Sequence, residues 1–170
     1  MLEIINNLQP FFKDCYRRIN VREYARLMKI SPPTASKLLQ SYVIEGLLKR
    51  NQDKLYIYYS ANAANKTFID LSRIYWQESL QQKGLLEYIA KEYKLAVIIL
   101  FGSLAKAEVT QDSDIDIAIF SPSKHKIDVS NFEKKLKRKI QLLIYSSPDE
   151  TKNKELLKNI YSGYILKGEW

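Results

Sequence analysis

The 170 residues suffice for one large domain or two small ones, and 46% hydrophobic with 27% charged side chains can bury a core. One cysteine, Cys15, and one histidine, His125, exclude a disulfide framework and a thiolate or imidazole metal cluster, leaving carboxylates and phosphates, hence Mg²⁺ or Mn²⁺. Lys and Arg outnumber Asp and Glu 27 to 19, a net charge of +8 that suits a polyanionic partner.

The basic excess is uneven. Residues 1–60 carry +5, residues 61–94 carry +1 and residues 95–170 carry +2. The opening MLEIINNLQPFF has no basic stretch leading into an apolar one, as a secretory leader would. The longest apolar run, Leu95–Phe101, is too short to span a bilayer, so the expectation is a cytoplasmic chain without membrane contact.

In chain order, Leu2–Leu8 reads as a short helix stopped near Pro10, whose ring restricts the residue before it. Asn20-x-x-Glu23 resembles a capping box, and Val21, Tyr24, Ala25 and Met28 follow at helical spacing. Ser31-Pro32 starts the next helix, with Ala35, Leu39 and Tyr42 inward and Gly46 after its end. Leu47–Arg50 and Leu55–Tyr59 read as strands around Asn51-Gln52-Asp53. Residues from about 62 to 82 form a helix with Phe68, Leu71, Ile74 and Tyr75 on its apolar face, and Gly84 separates it from a helix bearing Leu85, Leu86, Ile89 and Tyr93. That apolar face could also support a homodimer. Buried strand Leu95–Phe101, strand Ile115–Phe120, a helix at about 130–138, strand Ile140–Tyr145 and a terminal helix complete an α+β pattern.

The stretch VREYARLMKISPPTASKLLQSYVIEGLLKR, with the hairpin after it, resembles a winged helix-turn-helix. The resemblance implies duplex DNA as partner. Its second helix would offer Thr34, Ser36, Lys37, Gln40 and Ser41 to the major groove, and Lys49, Arg50 and Lys54 on the wing would lie near the phosphates. Tyr56 and Tyr58 read as sheet packing rather than base-stacking platforms.

The most specific segment is IILFGSLAKAEVTQDSDIDIAIF. Gly102-Ser103, ten residues, then Asp114-x-Asp116 resemble the GS-x10-DxD signature of minimal nucleotidyltransferases in the DNA polymerase beta superfamily. A glycine lets backbone approach a phosphate, and Ser103 can donate to a phosphate oxygen at a helix start. On a strand, Asp114 and Asp116 share one face roughly 7 Å apart. The resemblance implies that they hold Mg²⁺ (or Mn²⁺) against the phosphates of a nucleoside triphosphate, as catalytic and metal-binding residues. The ending Ser162-Gly163-Tyr164-Ile165-Leu166-Lys167-Gly168 is similar to the same group of proteins.

Three departures stand out. Where the family often reads G-S-x-A-R-G, this chain has Lys106 and Ala107. Lys106 cannot clamp a phosphate bidentately as Arg can, and Ala107 lacks glycine's backbone freedom. Where active relatives carry a third carboxylate, in a context like R-K-V-D-L-V, this chain reads Arg138-Lys139-Ile140-Gln141. Gln141 brings no charge and is a poor base.

The expected organisation is therefore a DNA-binding winged helix over 1–60, a helical connector over 61–84 and a nucleotidyltransferase-like domain over 85–170. The function expected is that of a DNA-binding regulator whose second domain binds Mg–NTP with weak or lost catalysis. The alternative is an active enzyme moving a nucleoside monophosphate onto a protein or small-molecule hydroxyl. Some minimal nucleotidyltransferases act as antitoxins, so a helical toxin-type protein is a further candidate partner. His125 reads as a solvated loop residue, Cys15 as partly buried and inert, and Asp112 as loop charge, while Ser113 can help shape the turn. Lys134, Lys135, Lys137, Arg138 and Lys139 read as the solvated face of a helix.

Overall fold

A computed structural model describes residues 2–169; Met1 and Trp170, the outer ends of the expected domains, lie outside the described residues. The chain divides into two compact units. The first comprises Met1–Ser72 with Ala107–Gln111, and the second Arg73–Lys106 with Asp112–Trp170. No helix among the described residues is long and apolar enough to cross a membrane.

The first unit opens with α1 (Glu3–Lys13), which runs straight through Pro10 instead of stopping before it. A proline inside a helix costs about 3 kcal/mol. Burying a large apolar side chain returns about 1.5–3 kcal/mol, and Ile5, Leu8, Phe11 and Phe12 are all fully buried. Phe12 packs on Phe68 and Phe11 on Tyr24, with ring centroids 5.1 and 6.1 Å apart. Tertiary burial wins over the local stop signal.

Asn20 caps α2 (Val21–Met28), its side chain accepting from the Glu23 N–H at 2.9 Å. The Glu23 carboxylate meets Arg17 at 2.6 Å. Ser31 caps α3 (Pro32–Ile44), which buries Ala35, Leu39 and Tyr42 as its spacing requires. An antiparallel hairpin follows, β1 (Leu48–Asp53) and β2 (Tyr56–Ala61), paired from Leu48↔Ala61 to Asp53↔Tyr56. Its turn is Lys54-Leu55, not Asn51-Gln52-Asp53. Those three polar residues extend an exposed strand opposite Tyr58, Ile57 and Tyr56, and Lys54 takes the left-handed backbone the turn needs. Ile19 bonds Tyr59 in both directions, at 2.9 and 2.8 Å, and so ties the hairpin to the segment before α2. Tyr56 is 65% exposed near the tip, with its ring 6.5 Å from that of Tyr58.

The division between units falls within α4 (Lys66–Gln82). Gly84, in the left-handed region, starts α5 (Leu85–Glu92), which buries Leu85, Leu86 and Ile89. The second unit is then built on a four-stranded mixed sheet in the order β5-β4-β3-β6. Its strands are β3 (Val97–Phe101), β4 (Ile115–Phe120), β5 (Ile140–Tyr145) and β6 (Tyr164–Lys167). Strand β3 begins at Val97 rather than Leu95, which is left-handed and 96% exposed. The pairs β3–β4 and β3–β6 are antiparallel, while β4–β5 is parallel through the crossover helix α7 (Ser130–Leu136). One face of the sheet packs Val97, Ile99, Phe101, Ala118 and Phe120 against Ile160 of α8 (Lys154–Tyr161). Between α8 and β6, Gly163 passes so close to β3 that a Cβ there would stand 2.5 Å from the Leu100 carbonyl oxygen. The strand this glycine leads into, β6, has no counterpart among the expected elements.

Candidate nucleotide and metal site

Strand β3 is buried at every position and runs directly into α6 (Gly102–Lys106). The junction is Gly102, at φ +70°, where an L side chain is strained. A side chain would also displace its neighbour: a Cβ on Gly102 would stand 2.3 Å from Asp116 Oδ2, so that carboxylate would have to shift. Ser103 follows, partly exposed, in the first turn of α6. The Arg73 guanidinium steadies this short helix by donating from Nε to the Ala105 carbonyl at 2.8 Å. Ala107 occupies the left-handed region at φ +56°. An L residue accepts that conformation at about 1–2 kcal/mol, a cost that the glycine of the related motif avoids.

The two carboxylates enter from the start of β4. Asp114 is exposed and lies one residue before the strand, while Asp116, half-buried, is its second residue. Asp116 pairs with Phe101 on one side and Gln141 on the other. Register partners in a sheet point to the same face, so Gln141 stands beside Asp116 with its side chain exposed. No other carboxylate joins them: among the described residues no group of three or more His, Cys, Asp or Glu is placed to hold a metal. Burial, and then the charge of Asp114, push the Asp116 carboxyl above the ordinary aspartate range.

A cation would relieve that repulsion. Two carboxylates suit Mg²⁺ when substrate phosphates and water complete its shell, since this ion takes few protein ligands. The residues present therefore fit Mg²⁺ together with a nucleotide.

Two arginines were not singled out by spacing. Arg73 backs α6, and Arg138 donates from Nη1 to the Ser113 carbonyl at 2.5 Å, immediately before Asp114. Arg138 was submerged in the basic run, which the structure divides. Helix α7 ends at Leu136, Lys137 turns left-handed, and Arg138 and Lys139 lead into β5. The similarity of Arg138-Lys139-Ile140-Gln141 to R-K-V-D is the one sequence signal that could distinguish Arg138 from its neighbours.

His125 is exposed but not merely solvated. Its ring stacks on Tyr93 at 4.8 Å, and its nitrogens lie 2.9 Å from Ser123 Oγ and 3.2 Å from Glu92. Cys15 is 4% exposed, and its N–H donates to the Val109 carbonyl at 2.7 Å.

In the first unit, Thr34, Lys37, Gln40, Lys49, Arg50 and Lys54 are exposed. Ser36 and Ser41 are half-exposed, and the Ser41 hydroxyl turns back to the Leu38 carbonyl at 2.8 Å. The Thr34 hydroxyl lies 2.8 Å from Ser31 Oγ as part of the α3 cap. The Gln40 amide also turns back along the helix, donating to Ser36 Oγ at 3.4 Å, so Lys37 and the hairpin cations are better placed to meet a ligand than Thr34, Gln40 or Ser41.

The glycine turn at Gly102 thus lies beside Asp116 on the neighbouring strand, with Asp114 two residues earlier in the chain. Residues 83–165 match the family model "Polymerase beta, Nucleotidyltransferase", so this part of the chain is a nucleotidyltransferase domain. No curated protein matches the chain, and no solved structure does.

Proposed function

We propose that the nucleotidyltransferase domain binds a nucleoside triphosphate with Mg²⁺ and transfers its nucleotidyl group weakly or not at all. The pairing of Asp116 with Gln141 carries this reading, because an amide stands where a third carboxylate would serve as base. Gly102 and Ser103 hold phosphate oxygens, while Asp114 and Asp116 take the cation. When bound, Mg²⁺ neutralises the phosphates and favours departure of pyrophosphate. Gln141 can orient an acceptor hydroxyl through its amide but cannot remove the proton. Calorimetry with Mg–ATP and Mg–CTP tests this. Binding is expected at neutral pH, weakening as pH falls, because Asp116 takes up a proton earlier than an ordinary aspartate. Absence of binding by every nucleoside triphosphate in Mg²⁺ would overturn the reading.

The first unit completes the proposal as a duplex DNA binder. Support comes from two capped helices, a hairpin bearing Lys49, Arg50 and Lys54, and the +5 charge of residues 1–60. Replacing Lys37, Lys49 and Arg50 together is expected to weaken binding to all sequences. The salt slope should flatten by roughly one unit per lost phosphate contact. Unchanged affinity and slope in a folded triple variant would remove DNA from the assignment.

A further inference from the structure

Asp114 lies between two hydrogen bonds made by consecutive residues of the α7–β5 turn. On its N-terminal side the Ser113 carbonyl accepts from Arg138 Nη1 at 2.5 Å, and on its C-terminal side the Ile115 N–H donates to the Lys139 carbonyl at 2.8 Å. The second bond belongs to the backbone and is available to any sequence. The first depends on one side chain. Arg138 is itself fixed: its guanidinium lies over the Trp76 ring, 5.1 Å from the centroid, and its N–H donates to the Glu133 carbonyl at 3.3 Å. Trp76 is 3% exposed, so the surface under the guanidinium is part of the core. Glu133 also accepts from the Ile140 N–H at 3.0 Å and meets Lys139 Nζ at 3.3 Å, which holds the turn closed.

We propose that Arg138 is the positioning residue for Asp114, fixing the backbone from which that carboxylate reaches the cation; this rests on the metal-binding reading above. A planar guanidinium can stack on the indole and direct an N–H at the Ser113 carbonyl at once. A lysine ammonium, a compact hydrated charge on a flexible stem, has neither the flat face nor the fixed fork. Residues that hold a metal ligand without touching the metal typically change its affinity by about 10–100-fold when replaced.

The test is Mn²⁺ binding by the full chain, followed by electron paramagnetic resonance, for the parent, Arg138→Lys and Asp116→Asn. Arg138→Lys is expected to bind roughly tenfold or more weakly while its metal-free melting temperature stays near the parent's. A general loss of structure would move both. Amide exchange without metal gives a second readout: Ile115 should exchange faster in Arg138→Lys, while Ile99 in β3 keeps its protection. If the lysine variant fails to fold, Arg138→Gln, which retains a donor, takes its place with the same expectations. Parent-like Mn²⁺ affinity in a folded Arg138 variant, with Asp116→Asn unable to bind, overturns the positioning role and leaves the metal site standing. A parent that binds no Mn²⁺ overturns the metal reading and the proposal with it.

Discussion

Gln141→Asp is expected to raise Mg²⁺-dependent nucleotidyl transfer about 10²–10⁴-fold over the parent, given a suitable acceptor hydroxyl. The figure is the usual contribution of a positioned general base, and the register makes the position suitable. Strands β4 and β5 run parallel with Asp116 directly opposite Gln141, so an aspartate there stands beside Asp116 on the same face. No repacking stands in the way, because the Gln141 side chain is exposed and aspartate is smaller. The added charge should also tighten Mg²⁺ binding. Asp116→Asn in the Gln141→Asp background should remove the gain, since one of the two original carboxylates is then lost. Label transfer from nucleoside triphosphates in Mg²⁺ reads all three proteins. Strong transfer by the parent that Asp116→Asn abolishes would show that a third carboxylate is dispensable here. Strong transfer that Asp116→Asn leaves intact would move the metal site elsewhere.

The parts of this site that were legible from the sequence are those written in local pattern. The two apolar runs after the paired aspartates gave β4 and β5 their observed limits, and the alignment of Gln141 with Asp116 reappears as a register pair. What escaped was decided by tertiary packing. The helix break expected at Pro10 is absent because Phe11 and Phe12 are buried beyond it. Strand β6 escaped because four residues on a sheet edge, with only Leu166 buried, leave no alternation to read. The hairpin turn was placed too early because Asn51-Gln52-Asp53 looks like a loop, yet an exposed strand tolerates the same residues. Arg138 looked like one more solvated cation because its partners, Trp76 and Ser113, lie far away in sequence. Gly102 was legible as a glycine position, but for an incomplete reason. Closeness to phosphate was the expectation, whereas the nearest atom to a Cβ there belongs to Asp116.

That neighbour makes Gly102 a test of the site's internal geometry, apart from any ligand. Gly102→Val is expected to abolish Mg–ATP and Mg–CTP binding in calorimetry and to leave DNA binding intact. A β-branched residue at φ +70° is strained by about 1–3 kcal/mol, and its Cβ must also push aside the Asp116 carboxylate, 2.3 Å away. The two costs can be separated with Gly102→Ala. In the parent this variant suffers both the backbone strain and the clash. In an Asp116→Ala background the carboxylate is gone, and the nearest atom that remains of that side chain is the Cβ at 3.4 Å, an ordinary contact. Gly102→Ala should therefore cost less stability there than in the parent. The difference is a coupling of about 0.5–3 kcal/mol, as for residues in direct contact. Denaturant unfolding of the four proteins measures it. If the two substitutions simply add, the carboxylate does not press on Gly102, and glycine is required at this position for its backbone conformation alone.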